Sequence, residues 1–590
     1  MNIRECDILC KLWETPYVNQ RTLAEACGVS LGMANRCLKN LKEYGYLDGN
    51  FRLTEQAHRE ISEKKPKNAV ILAAGFGMRM VPINMEIPKA FLEVKGELLI
   101  ERIIRQLHEA GVREIYVVVG YMKERFDYLI DRFGVRLVVN PDYGAKNNLH
   151  SLKRAEKYLA DSYLIPCDVW CEENPFRKCE LYSWYMVSDR KENGSMVRVN
   201  RNMELVAVRE DVDGNAMVGI SYLLKEDAER LKKQMEILCG TRHGDRLFWE
   251  AALYDGGKMA VRARMVRKEQ VAEINTYEQL RELDDCSGQL QSDKLQAIAD
   301  VLDVSMSEIT DLSALKKGMT NRSFLFSCRG SGYIMRIPGE GTERLINRSE
   351  EAAVYRELQG RNICEDVILI NPDNGYKITR FIDGARTCDP ANPEETAACM
   401  KKLRRFHELA LKVGHEFDLF GHIDFYEALW GGCPSAYEDY PQTKENVLRL
   451  RPFIGQWAKE KVLTHIDAVP DNFLLFKNEE GEEEIRLIDW EYAAMQDPHV
   501  DIAMFCIYSM YDREQIDGLM GQYFTEGCPD GIRIKIYCYI AVCGLLWSNW
   551  CEYKRNLGVE FGEYSLRQYR YAKDYYGIAA GALGWEAEEK

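Results

Sequence analysis

Four polar residues in the C-terminal third of the sequence have the types and spacing that phosphoryl transfer requires. His465, Asp467 and Asn472 lie in a short polar segment between two apolar runs, and Asp489 ends a third apolar run. The apolar runs predict strands, so the polar segment is a loop with rigid flanks. One carboxylate can take a hydroxyl proton, while a carboxamide and a second carboxylate can hold Mg²⁺. The alternative is a pair of turns with Asx caps, which the flanking His465 and IDWEYA disfavour.

The pattern HxDxxxxN followed by IDxEYA resembles the aminoglycoside-phosphotransferase and choline-kinase branch of the kinase-like fold. The resemblance implies that Asp467 is the catalytic base and that Asn472 and Asp489 are the Mg²⁺ ligands. Asp501, in DPHVDIAMF, is similar to a family residue that braces the catalytic loop. His407, in the preceding helical pattern, is predicted to be structural.

Upstream of this loop, GMTNRSF is similar to the phosphate-covering segment of choline kinases and is followed by a second strand pattern, GYIMRIPG. The resemblance implies that Thr320, Asn321 and Ser323 donate hydrogen bonds to ATP phosphates. Arg336 stands where many kinase-like folds use Lys. Choline kinases resemble this sequence in using Arg, and a bidentate guanidinium suits phosphate. Glu350, in the helix NRSEEAAVYRELQ, is the predicted ion partner of Arg336.

Two further segments of this region predict binding of the nucleotide base and of a cation. GYKITRFIDGART resembles the hinge that holds adenine, which implies binding by the backbone around Arg380 and Ile382. Trp547 and Trp550 lie three residues apart, so a helix places both on one face. Such stripes are usually core, but this segment resembles a helix of choline kinases whose aromatic rings enclose a trimethylammonium group, a role that suits aromatic faces. The carboxylate nearest to this group is predicted to be Glu491, and either Tyr569 or Tyr571 would close the pocket.

A second set of phosphate-binding residues lies in the central third of the sequence. The apolar strand NAVILAAG runs directly into GFGMR, and IPKAFLEVKG follows. Glycines let backbone N–H groups approach phosphate oxygens, and basic side chains add charge. LAAGxGxRM with a downstream PK resembles the sugar- and alcohol-phosphate nucleotidyltransferases. The resemblance implies that phosphates are bound by Ala73, Ala74, Gly75 and Gly77, with Arg79 and Lys89 as catalytic residues.

Asp168 ends the buried strand SYLIPCDVW, and ligands of open α/β sheets bind at the carboxyl ends of strands. It is therefore the predicted Mg²⁺ ligand of this region. Asn275, in VAEINTYEQL, stands where the family has a second metal-binding Asp. A carboxamide is a neutral, weaker Mg²⁺ ligand than a carboxylate, so this transferase would be slow, use one firm metal site, or act as a sensor. Glu273 could compensate.

NPDYGAKNNLHSL is similar to the CTP:phosphocholine cytidylyltransferases of bacteria that decorate their surfaces with phosphocholine. The resemblance places Asn148 and Ser151 near nucleotide or substrate. Tyr182, Trp184 and Tyr185, in LYSWYMV, are aromatic candidates for a quaternary ammonium group, and packing is an equally good explanation for them.

The N-terminal stretch predicts three helices and a hairpin at GYLDGNFRLT, which resembles the winged-helix fold of bacterial transcription regulators. DNA contact would go through the third helix, which carries Arg36, Lys39 and Lys42 but also Glu43. An interaction or regulatory module explains so thin a charge footprint better.

Composition limits the alternatives. The chain has 590 residues, a net charge of −15 and 19 scattered cysteines. This acidity argues against bulk nucleic-acid binding, and cysteines without a C-x-x-C pair predict free thiols in a reducing cytoplasm. The sequence predicts neither a signal peptide nor a membrane span, so we expect a cytoplasmic protein.

The predicted fold class is multidomain α/β and α+β. A winged helix at 1–66 precedes a Rossmann-like nucleotidyltransferase at 67–285 and a two-lobed kinase-like fold at 291–590. The predicted enzyme phosphorylates choline with ATP and then joins phosphocholine to CTP, with Mg²⁺ in both steps. Alternatives are a kinase for ethanolamine or an aminoglycoside, a metabolite-sensing regulator, and use of another nucleotide such as UTP.

Overall fold

The structure is a computed structural model that describes residues 1–77, 80–209, 212–290, 292–315, 321–339, 342, 345–458, 460–478, 480–559 and 561–585. The predicted phosphate-binding residues Arg79 and Thr320 lie outside these ranges. The chain divides into two compact units, Met1–Ala314 and Leu315–Lys590. Winged helix and nucleotidyltransferase thus share the first unit, and the second holds the kinase-like fold.

The first unit begins with a small helical module around one apolar core. Its first helix starts with a capping box in which Asn2 and Glu5 exchange hydrogen bonds with each other's backbone N–H groups. The predicted hairpin is reduced to a single antiparallel bridge between Leu47 and Leu53. A fourth helix, which was not predicted, follows this bridge. The four helices are α1 (Ile3–Glu14), α2 (Gln20–Ala26), α3 (Leu31–Glu43) and α4 (Glu55–Lys64).

Helix α1 packs on the central module. The Tyr182 hydroxyl donates to the Asp7 carboxylate at 3.0 Å, and Cys10 forms a disulfide with Cys179. The prediction of free thiols is therefore wrong for this pair, because sequence spacing cannot show that residues 169 positions apart meet in space. Exposed residues of α3, including Arg36 and Lys39, lie on the module's surface, and Lys39 pairs with Glu43 at 3.7 Å.

A large twisted sheet forms the central module. Its order is β5-β4-β1-β6-β11-β8-β13-β10-β9, with β12 beside β13, and β5, β4, β1 and β6 run parallel, as in the predicted Rossmann-like fold. Two short pairs, β2 with β3 and β7 with β14, lie outside this sheet. The strands are β1 (Asn68–Ala73), β2 (Glu93–Val94), β3 (Glu97–Leu98), β4 (Glu114–Val119), β5 (Arg136–Val139), β6 (Ser162–Pro166), β7 (Val169–Cys171), β8 (Trp184–Glu192), β9 (Val197–Val199), β10 (Glu204–Ala207), β11 (Gly214–Leu223), β12 (Tyr254–Asp255), β13 (Lys258–Val266), β14 (Val271–Glu273) and β15 (Ile309–Ala314).

Helices cover both faces of this sheet and bury two apolar clusters against it. Helices α5 (Leu99–Glu109) and α6 (Tyr128–Phe133) contribute to one cluster, and α7 (Asn148–Arg154) and α8 (Lys225–Cys239) contribute to the other. Two further helices, α9 (Tyr277–Leu283) and α10 (Asp293–Leu302), follow the sheet in the chain.

The second unit has two lobes of different composition. In the first, strands are ordered β16-β17-β19-β18 beside α11, and in the second, a helical core surrounds short strand pairs that carry the polar loops. The strands are β16 (Asn321–Cys328), β17 (Ser331–Pro338), β18 (Val367–Ile370), β19 (Lys377–Arg380), β20 (Arg386–Thr387), β21 (Val462–Thr464), β22 (Phe473–Lys477), β23 (Glu483–Leu487) and β24 (Ala494–Gln496).

The helices of this unit are α11 (Arg348–Leu358), α12 (Pro393–Glu408), α13 (Leu419–Ala428), α14 (Tyr440–Leu448), α15 (Arg451–Trp457), α16 (His499–Tyr508), α17 (Arg513–Tyr523), α18 (Asp530–Asn556) and α19 (Glu563–Ala582). Within the described chain, α18 alone is long and apolar enough to cross a membrane. Most of it is buried against α13, α16 and α19, which is the environment of a core helix.

Candidate functional sites

The polar loop predicted for phosphoryl transfer is held rigidly in the second unit. Asp501 accepts hydrogen bonds from the backbone N–H groups of His465 at 2.9 Å and Ile466 at 2.7 Å. The His407 ring contacts the same carboxylate at 3.0 Å. These contacts hold Ile466 at a φ of 70°, a strained value for a β-branched residue, directly before Asp467. The bracing role predicted for Asp501 and the structural role predicted for His407 match this geometry.

Asp467, Asn472 and Asp489 converge at the end of the β22–β23 pair. The Asn472 side chain donates to the backbone carbonyl of Asp467 at 2.8 Å and to its carboxylate at 3.2 Å. The Ile488 N–H donates to the Asn472 carbonyl at 2.9 Å, which places Asp489 beside Asn472. Withdrawal from bulk water, together with the nearby Glu491, raises the pKa of Asp467 to about 7. Such a carboxyl group can accept a proton near neutral pH.

Asp489 has a left-handed backbone at φ 67°, and its Oδ1 is buried without a hydrogen-bond partner in the described part of the chain. Burial raises the pKa of this carboxyl group, so the bare site disfavours its charge. An unpartnered carboxylate oxygen beside a carboxamide oxygen suits a hard cation such as Mg²⁺. The residues predicted as ligands therefore fit the ion.

These three residues share one cavity of about 500 Å³ with the other predicted nucleotide-binding groups. Asn321, Ser323 and Arg336 line it, and the hinge residues Arg380 and Ile382 line it as well. The cavity therefore joins both lobes of the unit, as the resemblance to kinases implies.

Arg336 makes its ion pair with Glu351 rather than with Glu350. Both guanidinium Nη atoms contact the Glu351 carboxylate, which is buried, whereas Glu350 is exposed. The prediction chose the wrong face of α11, because adjacent glutamates point about 100° apart on a helix. Arg348 bridges Glu351 to Glu491 at 3.0 and 3.2 Å, and neither Glu351 nor Arg348 was predicted for the site.

Aromatic rings line the other end of the cavity. The ring centroids of Trp547 and Trp550 lie 5.5 Å apart, and those of Tyr492 and Trp547 lie 5.8 Å apart. Tyr508 and Tyr564 complete this lining. Both tryptophans predicted for a cation site therefore line this cavity together with three tyrosines.

The tyrosine predicted to close the pocket lies elsewhere, and the predicted substrate carboxylate already accepts a hydrogen bond from the protein. Tyr569 stacks on Tyr437 with centroids 3.7 Å apart and donates to Asp439 at 2.7 Å, away from the cavity lining. Tyr564, on the same helix, lines the cavity instead, and the side-chain pattern of α19 gave no signal that would separate the two. The Glu491 carboxylate lines the cavity but accepts from Asn321 at 2.8 Å.

In the first unit, a second cluster forms around Lys89. Its Nζ lies 2.5 Å from an Asp168 carboxylate oxygen and 2.7 Å from the Asn275 amide oxygen. The Ile274 N–H donates to the Asp168 carbonyl at 2.9 Å, so the β7–β14 pairing sets Asn275 beside Asp168. The other Asp168 carboxylate oxygen is buried and unpartnered among the described residues, which fits a Mg²⁺ ligand.

The glycine-rich turn packs against this lysine. Gly77 has φ 69°, and a Cβ at this position would lie 3.4 Å from the Lys89 Cδ, so glycine allows both the turn and the close approach. Ala73 ends β1, Ala74 follows it as a buried residue, and Gly75 comes next at the surface. The predicted phosphate loop therefore lies beside the Lys89–Asp168–Asn275 cluster.

Asn148 and Ser151 lie on α7 but are occupied by protein contacts. Asn148 accepts from the Trp249 N–H at 2.8 Å, and the Ser151 hydroxyl accepts from the Asn140 amide at 3.0 Å. The Asn148 contact holds the segment that carries Glu250, a carboxyl group that sequence reasoning missed. Burial raises the pKa of Glu250 to about 7, and Asp168 is one of the charges that contribute.

Among the three predicted aromatic residues, Tyr185 alone reaches this region, because its hydroxyl donates to Glu250 at 3.2 Å. Trp184 is fully buried in the sheet core, with the Arg264 guanidinium 3.7 Å from its ring centroid. Tyr182 contacts α1 of the winged helix. The substrate-binding assignment of Tyr182 and Trp184 is therefore corrected to packing, and Trp184 and Tyr185 pack in apolar clusters on opposite faces of the sheet.

Fold and sites together define a winged-helix module, a Rossmann-like nucleotidyltransferase and a choline-kinase-like fold on one chain. Family models match residues 1–48 (winged helix-turn-helix DNA-binding), 69–174 (MobA-like NTP transferase domain) and 312–522 (choline/ethanolamine kinase). The chain is 32% identical over 239 residues to the 2-aminoethylphosphonate cytidylyltransferase of Lancefieldella rimae, which covers 38% of this chain and 94% of that protein.

The choline-phosphate cytidylyltransferase of Streptococcus pneumoniae is 31% identical over 221 residues, covering 37% of this chain and 96% of that protein. The protein LicA of Haemophilus influenzae is 26% identical over 266 residues, covering 42% and 96%. The chain belongs to the cytidylyltransferase family through its central module, which is fused to a module similar to choline/ethanolamine kinases. It thus combines nucleotidyltransferase and kinase modules.

Proposed function

We propose that the chain makes CDP-choline in two consecutive reactions. The kinase module phosphorylates choline with ATP, and the central module joins the resulting phosphocholine to CTP. The observation that carries this proposal is the single cavity in which Asp467, Asn472 and Asp489 meet the rings of Trp547 and Trp550. A quaternary ammonium group cannot donate hydrogen bonds, so aromatic faces are the physical means of binding it.

In the kinase step, Asp467 orients the choline hydroxyl and takes its proton as the oxygen attacks the γ-phosphorus of ATP. The bond between the γ-phosphorus and the bridging oxygen breaks, and ADP leaves. Asn472 and Asp489 would hold Mg²⁺, which offsets the charge on the phosphates. Arg336, fixed by Glu351, presents its guanidinium to the same phosphates.

In the transferase step, a phosphocholine oxygen attacks the α-phosphorus of CTP, and pyrophosphate leaves. The attacking phosphate is already ionised, so the step needs no strong base. Lys89 and the glycine-rich turn bind phosphate oxygens, and Asp168 with Asn275 would hold Mg²⁺. Because the Asn275 oxygen is neutral, Asp168 supplies the charge of this pair. Glu273, whose side chain hydrogen-bonds to Asn275, is the neighbouring carboxylate.

A second candidate is a primary-ammonium acceptor such as 2-aminoethylphosphonate or phosphoethanolamine. It is favoured by the largely buried Glu250 near Asp168, because a carboxylate suits an ammonium group that donates hydrogen bonds. The 2-aminoethylphosphonate enzyme among the relatives supports the same alternative. The two candidates make different products and can be separated by mass.

The test is incubation of the purified chain with ATP, CTP and Mg²⁺, with choline or ethanolamine as the alcohol. Phosphocholine followed by CDP-choline is the expected sequence of products in the choline reaction. Phosphocholine, phosphoethanolamine and 2-aminoethylphosphonate are supplied separately with CTP, and UTP replaces CTP in a parallel reaction. The choline proposal is wrong if only ethanolamine is phosphorylated, and a chain that forms no product at either site is a sensor.

Localisation and nucleic-acid binding remain parts of this proposal. Both reactions use nucleotide triphosphates, which places the enzyme in the cytoplasm. The exposed basic residues of α3 permit DNA contact, but pairing of Lys39 with Glu43 reduces their charge. A gel-shift experiment on promoter fragments of the same operon that shows no salt-sensitive binding would exclude the DNA role.

A further inference from the structure

The segment that follows the nucleotidyltransferase module folds back onto the loop that carries Lys89. We call residues 284–290 and 292–294 the connector, since they lie between the ranges that the transferase and kinase family models match. The sequence predicts a domain boundary within this stretch, at 285–291. Side chains of the connector form hydrogen bonds with backbone groups of residues 91–95, which lie within six positions of Lys89.

Gln289 makes the most specific of these contacts. Its amide nitrogen donates to the Phe91 carbonyl at 2.9 Å, and its amide oxygen accepts from the Glu93 N–H at 2.9 Å. One side chain thus pairs with the backbone as a neighbouring strand would. The Ser287 hydroxyl adds a bond to the Glu93 carbonyl at 3.0 Å.

The two ends of the connector are fixed as well. At its start, the Asp284 carboxylate accepts from the Lys95 N–H at 2.6 Å. At its end, Lys294 pairs with Glu86, three residues before Lys89. The Tyr277 hydroxyl donates to the Leu290 carbonyl at 3.1 Å, which ties the connector to α9, the helix that directly follows Asn275.

We propose that the connector is a positioning element of the nucleotidyltransferase site, holding the 89–95 backbone so that Lys89 stays between Asp168 and Asn275. Gln289 is its positioning residue. This inference rests on the proposed transferase reaction. The side chains of Phe91, Leu92 and Val94 are buried in the module's core, so loss of Gln289 shifts the loop rather than unfolding it. Shifts of about 1 Å can cost up to about a hundredfold in rate.

The test is Gln289→Ala in the full-length chain, with Ser287→Ala as a smaller second change. Gln296→Ala is the control, because that exposed side chain pairs with Asp300 on its own helix. We expect kcat for CMP transfer to fall about tenfold in Gln289→Ala, while the Kd for Mg·CTP rises about threefold or less. The kinase rate and the melting temperature should match the wild type.

Hydrogen exchange of the Glu93 and Lys95 amides gives a readout that needs no catalysis. Faster exchange of the Glu93 amide in Gln289→Ala, with a wild-type rate in Gln296→Ala, is the expected result. A transfer rate within twofold of wild type overturns the proposal even if exchange increases, because the contact is then structural only. If the wild-type chain transfers no CMP, the proposed function fails. The connector is then tested by amide exchange at Glu93 and by the Kd for Mg·CTP. If neither changes in Gln289→Ala, the proposal about the connector is overturned.

Discussion

At the scale of single residues, a substitution of Trp547 tests which cation binds in the kinase cavity. We expect Trp547→Leu, which keeps apolar volume but removes the aromatic face, to raise KM for choline about tenfold. One cation–π contact is worth about 1–2 kcal/mol when desolvated, and about 1.4 kcal/mol is tenfold in affinity. KM for ethanolamine should change less than about twofold, since its ammonium group can hydrogen-bond.

Initial phosphorylation rates with choline and with ethanolamine measure this difference in KM. Trp457→Leu is the control, because Trp457 is 44% exposed on α15 and does not line the cavity. Equal increases in KM for both alcohols in Trp547→Leu would show that the tryptophan supplies volume and not a cation site.

Glu250 gives a second prediction, about stability against pH. Burial raises its pKa in the folded chain from 4.5 to about 7, so the folded state keeps a proton that the unfolded state loses. Stability contributed by this group is therefore present at low pH and is lost as the pH rises toward and past about 7. Glu250→Gln removes this loss. We therefore expect its free energy of unfolding, relative to that of wild type, to increase by about 2 kcal/mol between about pH 5 and pH 8.

Urea unfolding of the first unit at the two pH values measures the Glu250 effect. Glu236→Gln serves as the control, because Glu236 is exposed on α8 and should show no pH-dependent difference. A stability gain in Glu250→Gln that is the same at both pH values would mean that Glu250 is already charged at low pH in the folded chain.

Residue types and spacing predicted the groups that lie on local motifs, but the prediction chose the wrong glutamate on α11. Asp467, Asn472 and Asp489 come from one loop and one adjacent strand end, so their convergence could be read from the sequence. The choice of Glu351 over Glu350 depends on which face of a helix meets a strand. Val354, Tyr355 and Leu358 stand three, four and seven residues after Glu351, so the apolar spacing of α11 marked that face and favoured Glu351.

At the scale of elements, helix α11 and strand β17 are joined by the buried Arg336–Glu351 pair, and that pair can be tested against its neighbour. We expect Glu351→Gln to lower the kinase rate at least tenfold and to destabilise the second unit by about 3 kcal/mol. The physical reason is that a buried guanidinium left without its carboxylate carries an uncompensated charge.

Glu350→Gln is the matched control on the same helix, one residue away and exposed. It should leave both the kinase rate and the unfolding of the second unit unchanged, and CMP transfer should be unaffected in either variant. A larger loss in Glu350→Gln than in Glu351→Gln would contradict the observed pairing of Arg336.

Apolar runs in the sequence also predicted buried strands, whereas side-chain hydrogen bonds within a turn altered the predicted wing. The buried strands β1 and β6 lie where the apolar runs NAVILAAG and SYLIPCDVW predict them. The predicted wing formed one bridge, since Asp48 accepts from the Asn50 and Arg52 N–H groups and so satisfies backbone donors within the turn. Local side-chain acceptors of this kind are not visible in a hydropathy pattern.

At the scale of the whole molecule, the cluster around Asp467 and the cluster around Lys89 lie in separate compact units, each with its own core. The sequence predicted three modules, and the packing of α1 on the central module joins the first two into one unit. That junction depends on Cys179 and Tyr182, which sequence reasoning assigned to free thiols and substrate binding. Contacts between modules could not be predicted, because they join residues far apart in sequence that lack a shared motif.

Separate units predict that the two reactions can be divided between two molecules. Asp467→Asn should lose choline phosphorylation by about a hundredfold or more yet still convert phosphocholine and CTP. Lys89→Met should do the reverse, since Lys89 belongs to the cluster with Asp168. Neither variant alone should make CDP-choline from choline, whereas an equimolar mixture should make it after a lag in which free phosphocholine accumulates.

The time course of both products by mass spectrometry, in the mixture and in wild type, measures this transfer. A similar lag in both means that phosphocholine passes through solution from one unit to the other. If the mixture accumulates phosphocholine without forming CDP-choline while wild type forms it, the transferase unit does not take phosphocholine from solution. In that case the two units act as one enzyme, and the prediction that their reactions are independent is wrong.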